Sequence, residues 1–191
     1  MSTDPATSVL FLGESWVTHV IHQKGFDTFN TVDYTEGATR HISGLRAAGY
    51  EVTYLPAHAI GGGFPQTAEE LAGYDVVVIS DVGSNTFLLG TDTFVHSKAG
   101  PNRLEMIAGY VAAGGALLMI GGYMSFTGID AKARYGQSPL ADVLPVTMLD
   151  YDDRVERPEG ISPAVVDPGH PALADVTGEW PALLGYNRLQ A

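Results

Sequence analysis

Four short apolar runs punctuate the chain, and each breaks off at glycine, proline or a small polar cluster: Ser8–Leu12 at Gly13, Glu51–Leu55 at Pro56, Asp75–Ser80 at Asp81, and Ala116–Ile120 at Gly121-Gly122. Runs of this length without polar alternation predict strands buried on both faces, as in a parallel sheet. Between them the apolar period lengthens. In Thr35–Ala48, residues Ala38, Ile42, Leu45 and Ala48 share one helical face, and Gly49 marks a stop. In Pro101–Ala112, Leu104, Ile107, Ala108 and Val111 do the same, with Pro101 at the first helical position and Gly114-Gly115 behind. Thr67 and Glu70 form a capping box for a short helix ending at Leu71. Trp16, Val17, Val20 and Ile21 predict another short helix, with His19 and His22 one turn apart on it.

The remaining stretches carry weaker signals. Gly25–Tyr34, Pro56–Pro65 and Asp150–Gly169 show no period and read as loops, and Met1–Thr7 as a frayed leader. Thr86–Gly100 is a long connection that could close as a lid. Ser138-Pro139 reads as a cap and first turn, and Pro145–Leu149 as a weaker strand. Strands alternating with helices predict one α/β domain spanning residues 1–191, a doubly wound, mostly parallel sheet of flavodoxin-like type. With the four runs numbered along the chain, the expected order is 2-1-3-4, with further strands after Ile120.

Composition narrows the chemistry. At 45% hydrophobic and 17% charged residues the chain is ordinary for a globular domain. A net charge of -12 disfavours nucleic acid and anionic membrane as partners. Zero cysteines exclude disulfides, thiolate metal sites and a thiol nucleophile. The start has no basic n-region and no apolar run approaches a membrane span, so the cytoplasm is the expected compartment.

In such a sheet, ligands bind outside the carboxyl ends of the strands. Three strand ends therefore supply the candidates. Gly13, Glu14, Ser15 and Trp16 follow the first, Asp81, Ser84 and Asn85 the third, and Gly121, Gly122, Tyr123 and Ser125 the fourth. Glu14 or Asp81 would be the acid or base, and Tyr123 a phenolic donor. The alternative for the acidic and small polar residues is capping of the segments that follow. The glycines either admit a ligand to the backbone or make a tight turn. Ser125 as nucleophile needs a base that no motif identifies. His19 and His22 are weak candidate metal ligands, since two histidines one turn apart are more often solvated. No cofactor is expected; Gly61-Gly62-Gly63 lacks the Lys and Ser or Thr of a phosphate loop.

Several stretches together resemble one group of proteins. They include GESW at Gly13–Trp16, KGFDTF at Lys24–Phe29, YDVVVISDVGSN at Tyr74–Asn85 and PNRLEMIAGYVAAGGALLMIGGYMSFTGID at Pro101–Asp130. YDDRVERPEG at Tyr151–Gly160, HPAL at His170–Leu173 and LLGYN at Leu183–Asn187 extend the likeness over nearly the whole chain. The chain is similar to the glutamine amidotransferase-like proteins of the class I glutamine amidotransferase superfamily, relatives of the trehalose-utilisation (ThuA-like) proteins. The resemblance implies the flavodoxin-like fold. It also implies further strands beyond LLGYN, so that this chain is short for the family and leaves a sheet edge open or paired with a second copy. A homo-oligomer is the expectation.

The same resemblance argues against glutamine hydrolysis. The amidotransferase elbow is G-x-C-x-G, with H-x-E downstream. Here Tyr123 stands in the cysteine's place and Ser125 in that of the second glycine, while His170 is followed by Pro171 and Ala172. The expected function is binding or processing of a small polar, carbohydrate-like metabolite at the strand ends. The alternative is a non-catalytic binding or oligomer-forming module, because function does not follow from fold.

Overall fold

The computed structural model describes residues 6–174, 176 and 178–190; of the expected leader, residues 1–5 lie outside the described residues. In chain order the elements are β1 (Ser8–Gly13), β2 (Ser15–Lys24), β3 (Asp27–Glu36), α1 (Thr39–Ala47), β4 (Glu51–Leu55), α2 (Ala57–Gly63), α3 (Ala68–Leu71) and β5 (Val76–Ser80). There follow α4 (Asn85–Leu88), α5 (Thr91–Phe94), α6 (Arg103–Ala112), β6 (Ala116–Ile120), β7 (Thr147–Met148), β8 (Arg154–Ile161), β9 (Leu183–Asn187) and β10 (Leu189–Gln190).

The apolar runs pair as a parallel sheet in the order β4-β1-β5-β6, the order the sequence predicts. The two central strands are enclosed on both sides. On one face Leu10, Leu12, Val77 and Ile79 pack against Ile60 of α2 and Leu104 and Ile107 of α6. On the other, Val9, Phe11 and Val78 meet Ala38 and Ile42 beside and on α1. The helix stop at Gly49 takes φ +93°, a left-handed conformation that glycine adopts without a Cβ penalty.

The strand Ala116–Ile120 is a correction to full burial. Leu118 is 52% exposed, because among the described residues β6 forms the outer edge and its second face meets the core only at Ile120. Helix α6 begins at Arg103, two residues later than expected. Asn102, not Pro101, caps it, its Oδ1 accepting from the Leu104 and Glu105 backbone N–H groups at 3.1 and 3.3 Å.

The largest difference lies between Ser15 and Glu36. The expected helix at Trp16–His22 and the expected loop at Gly25–Tyr34 are instead two ten-residue antiparallel strands, paired from Ser15↔Glu36 to Lys24↔Asp27. The ribbon stands out from the domain, and every residue of β3 is exposed. Val17, Thr18, Val20 and Ile21, with Thr28, Thr31 and Val32 opposite, are β-branched and suit a strand better than a helix. His19 and His22 are three residues apart on a strand, which puts them on opposite faces, so the metal pair proposed from helical spacing does not form.

Two segments read as loops also hold structure. Pro56–Pro65 contains α2, whose Ile60 is wholly buried; packing of that side chain overrides the low helix propensity of the three glycines. Asp150–Gly169 contains β8, which pairs antiparallel with β9. The weak strand at Pro145–Leu149 shortens to β7, paired with β10.

Candidate functional site

The turn after β6 is held from beneath by the end of β5. Ser125 is fully buried; its Oγ donates to the Ile120 carbonyl at 2.6 Å and accepts from the Asp81 backbone N–H at 3.2 Å. Asp81 Oδ1 accepts in turn from the Met124 N–H at 2.6 Å. Gly122 is required here, since a Cβ on it would lie 2.7 Å from Asp81 Oδ1. Ser125 is thus a brace for the turn, with both hydroxyl roles used.

The end of β1 is tied to β5 in the same way. Glu14 donates its N–H to the Ser80 carbonyl at 2.7 Å, and its Oε2 accepts from the Ser80 hydroxyl. Its own carbonyl accepts from the Gly37 N–H at 2.8 Å, closing the base of the β2–β3 ribbon. Glu14 and Asp81 both hold positive φ, 48° and 43°, a conformation uncommon for non-glycine residues and concentrated at functional or structurally constrained places. Gly13, at φ +94°, comes so close to β5 that a Cβ would collide with the Ser80 carbonyl.

The other candidates separate. Ser15 is buried, and its Oγ accepts from the Ala57 N–H at 2.8 Å, capping α2 from another element. Ser84 is buried with its N–H on the Ala133 carbonyl, and Asn85 opens α4 on the surface. Trp16 leaves along the ribbon, 45% exposed, with its ring against Gly37. The structure therefore brings Glu14, Asp81, Gly122 and Ser125 into one hydrogen-bonded layer through Ser80 and Met124. Trp16 and Asn85 are not part of that layer.

Tyr123 and the two glycines face a different space. A concavity of about 610 Å³ runs beside β6, lined by Gly121, Gly122, Tyr123, Arg154, Tyr186 and Asn187 among others. Tyr123 is 53% exposed, and the Arg154 guanidinium lies 4.9 Å from its ring centre, within cation–π range. Arg154 is fixed by a fork to Asp152, with Nη2–Oδ2 at 2.9 Å and Nε–Oδ1 at 3.1 Å. That fork, aided by the Asp130 N–H, holds the Asp152 carboxyl well below the usual carboxylate range and raises the guanidinium in return.

Two residues organise this wall, Asp153 of the polar YDDR stretch, whose role is structural, and Asn187 of LLGYN. Asp153, wholly buried, accepts from the Thr127 and Gly128 N–H groups at 3.0 Å each and from Asn187 Nδ2 at 2.7 Å. Asn187 also accepts from the Gly122 N–H at 2.9 Å and donates to its carbonyl at 3.2 Å. The signal for Asn187 was its place in LLGYN, but nothing in the sequence showed that β9 returns to the Gly122 turn. Among the described residues no group of three or more His, Asp or Glu is placed to hold a metal ion.

The family described as "Putative glutamine amidotransferase" matches residues 8–191. The chain belongs to this family. Two solved structures share the amidotransferase-like fold at 54% identity. "Cytoplasmic Protein STM3548 from Salmonella typhimurium" superposes with a TM-score of 0.92, covering 96% of this chain and 74% of that one. "Cytoplasmic Protein STM1381 from Salmonella typhimurium LT2" gives 0.89, covering 97% and 75%. A comparison with curated proteins found no match. The chain holds no cysteine.

Proposed function

We propose that this amidotransferase-like chain binds a small polar, carbohydrate-like metabolite beside the Gly121-Gly122 turn, without hydrolysing glutamine. The observation that carries the reading is the exposed Tyr123 ring, backed by Arg154 and opening on a concavity that is mostly apolar with a few polar groups. Ligand sites have this composition: an apolar body fixed by few convergent donors and acceptors. Gly121 and Gly122 carry no side chain into the concavity, and Asn187 holds the Gly122 amide in place behind it. Glu14 and Asp81 then act as positioning residues, since Ser80 and Met124 engage their carboxylates. The kinship with ThuA-like proteins implied by the resemblance points to the same ligand class, and the two relatives' description fits a cytoplasmic protein.

Calorimetry with a panel of neutral sugars and sugar alcohols tests this. One or more should bind, and Tyr123→Ala should weaken that binding at least tenfold while the melting temperature holds, because the ring is half exposed. If wild-type protein takes none of the panel, or Tyr123→Ala binds as well as wild type, the reading fails. Purified protein should release no ammonia from glutamine above buffer.

The exposed ribbon favours a second role, self-association. Its middle, Trp16–Gln23 and Thr28–Val32, carries no Asp, Glu, Lys or Arg, in a chain of net charge -12. Two copies can meet there without carboxylate repulsion. A ribbon of two ten-residue strands measures roughly 33 Å by 10 Å. Its two faces therefore approach the area of about 800 Å² per partner that a stable interface buries. A dimer mass in light scattering is expected, and a monomer at working concentration would remove this role.

A further inference from the structure

A second cavity, of about 420 Å³, lies between the glycines of α2, the α4–α5 segment and the start of α6. Its notable feature is Arg103. The residue is buried, with 8% of its surface exposed, and among the described residues no carboxylate lies within ion-pair distance of it. Nη2 donates to the Gly61 carbonyl at 2.8 Å, and the guanidinium sits 5.8 Å over the Phe64 ring. Nη1 is buried with no hydrogen-bond partner. Burial without a counter-ion pushes the guanidinium below its ordinary value. A buried cation in this condition is costly, and native proteins pair such charges.

We propose that Arg103 is the anchor of an anion subsite that takes the carboxylate or phosphate of a small polyhydroxylated acid. Guanidinium Nη atoms are suited to such oxygens because charge-assisted bonds to them are short and strong. Gly61, Gly62, Gly90 and Gly100 line the cavity with bare backbone, so a bulky anion can approach. Gly90 is the closest; a Cβ there would lie 3.3 Å from Nη1. Gln66, Thr91 and Thr93 bring amide and hydroxyl groups for the rest of the molecule. Asp92, the one acidic residue in the lining, is 3.6 Å from Lys98 and has its side chain 72% exposed, so its charge is met at the rim. The start of α6 adds the positive end of a ten-residue helix, although Asn102 already takes two of its N–H groups. No lining residue is shared with the Tyr123 concavity, and this inference does not depend on the reading of that site.

The test compares glucose, gluconate and glucose 6-phosphate by calorimetry. At least one acid should bind ten times or more tightly than glucose, and the ratio of the two acids tells carboxylate from phosphate. Arg103→Met and Gly90→Ala should each abolish that excess, whereas Tyr123→Ala should leave it intact. Gly90 has φ -59° and ψ 161°, which alanine adopts freely, so this variant folds even where Arg103→Met does not. A merely structural arginine would lower the melting temperature when replaced. Arg103→Met also takes the donor from the Gly61 carbonyl, so its melting temperature falls in either case, and the deciding readout is the acid-over-glucose ratio in Gly90→Ala. Equal affinity for glucose and both acids, or retention of the excess in Gly90→Ala, overturns the proposal.

Discussion

The central sheet and the β2–β3 ribbon are built from the same residue types and end in opposite environments. Val77 and Ile79 in β5 are sealed from solvent, while Ile21 in β2 keeps 68% of its surface and Val32 in β3 keeps 61%. β-Branched side chains favour an extended backbone in both places, but only the sheet supplies neighbours on each face. A strand is thus a local choice, and its stability is a tertiary one. An isolated two-stranded ribbon is marginal in water, so the ribbon depends on what meets it.

The sharpest contrast is in stability. Ile79→Ala should cost about 2–5 kcal/mol in chemical denaturation, the range for a large-to-small change in a closed core. Ile21→Ala should change the stability of the monomer by less than about 0.5 kcal/mol. Equal costs would mean that the ribbon is a second core. Next is Asp153, which asks whether the segments outside the sheet are anchored or loose. Asp153→Asn turns a buried acceptor of three N–H groups into a side chain with one carbonyl oxygen, and should cost about 2–3 kcal/mol. A silent substitution would show that the β8–β9 hairpin is not fixed by this carboxylate.

Ile21→Glu addresses the ribbon directly. It should weaken self-association at least tenfold, about 1.4 kcal/mol, in sedimentation, with circular dichroism unchanged. The smallest effect is on alkaline stability. Burial pushes Tyr54 up to about 12 and Tyr135, fully enclosed, further still. Each is neutral in the folded state at a pH where the unfolded chain has lost the proton. Stability is therefore fully present below pH ~10 and falls as pH rises above it. Tyr54→Phe should flatten the decline in melting temperature between about pH 10 and 12.

The sheet was legible because continuous apolar runs admit few readings. Their order followed from the rule that parallel crossovers are short and right-handed. The ribbon was not legible. Trp16, Val17, Val20 and Ile21 fall at i, i+1, i+4 and i+5, which satisfies a helical face, and a strand exposed on both sides shows no alternation to contradict it. The density of β-branched residues on both sides of Lys24-Gly25-Phe26-Asp27 was the signal that outweighs this spacing. The sequence located the ends of β1, β5 and β6 to within a residue, at Gly13, Ser80 and Ile120. It could not show that the Ser125 hydroxyl is spent on backbone, or that Asn187 and Asp153 arrive from far along the chain. Such partners are set by tertiary folding alone. Arg103 was hidden for the same reason, as one cation at the start of a helix whose neighbours come from α2 and the α4–α5 segment.

The closed base of the ribbon has a consequence for how the molecule can vary. The Gly37 N–H meets the Glu14 carbonyl, so the chain leaves and re-enters the sheet layer at a single point. Length beyond that point is geometrically free. Pairs of residues can be added to or taken from matched positions of β2 and β3, changing the reach of the ribbon by roughly 3.3 Å per residue in each strand without moving β1 or α1. An unmatched insertion in one strand does something else: it turns every later side chain of that strand to the opposite face. Reach and face can therefore be tuned separately, and a partner surface can be lost or regained without disturbing the strand ends.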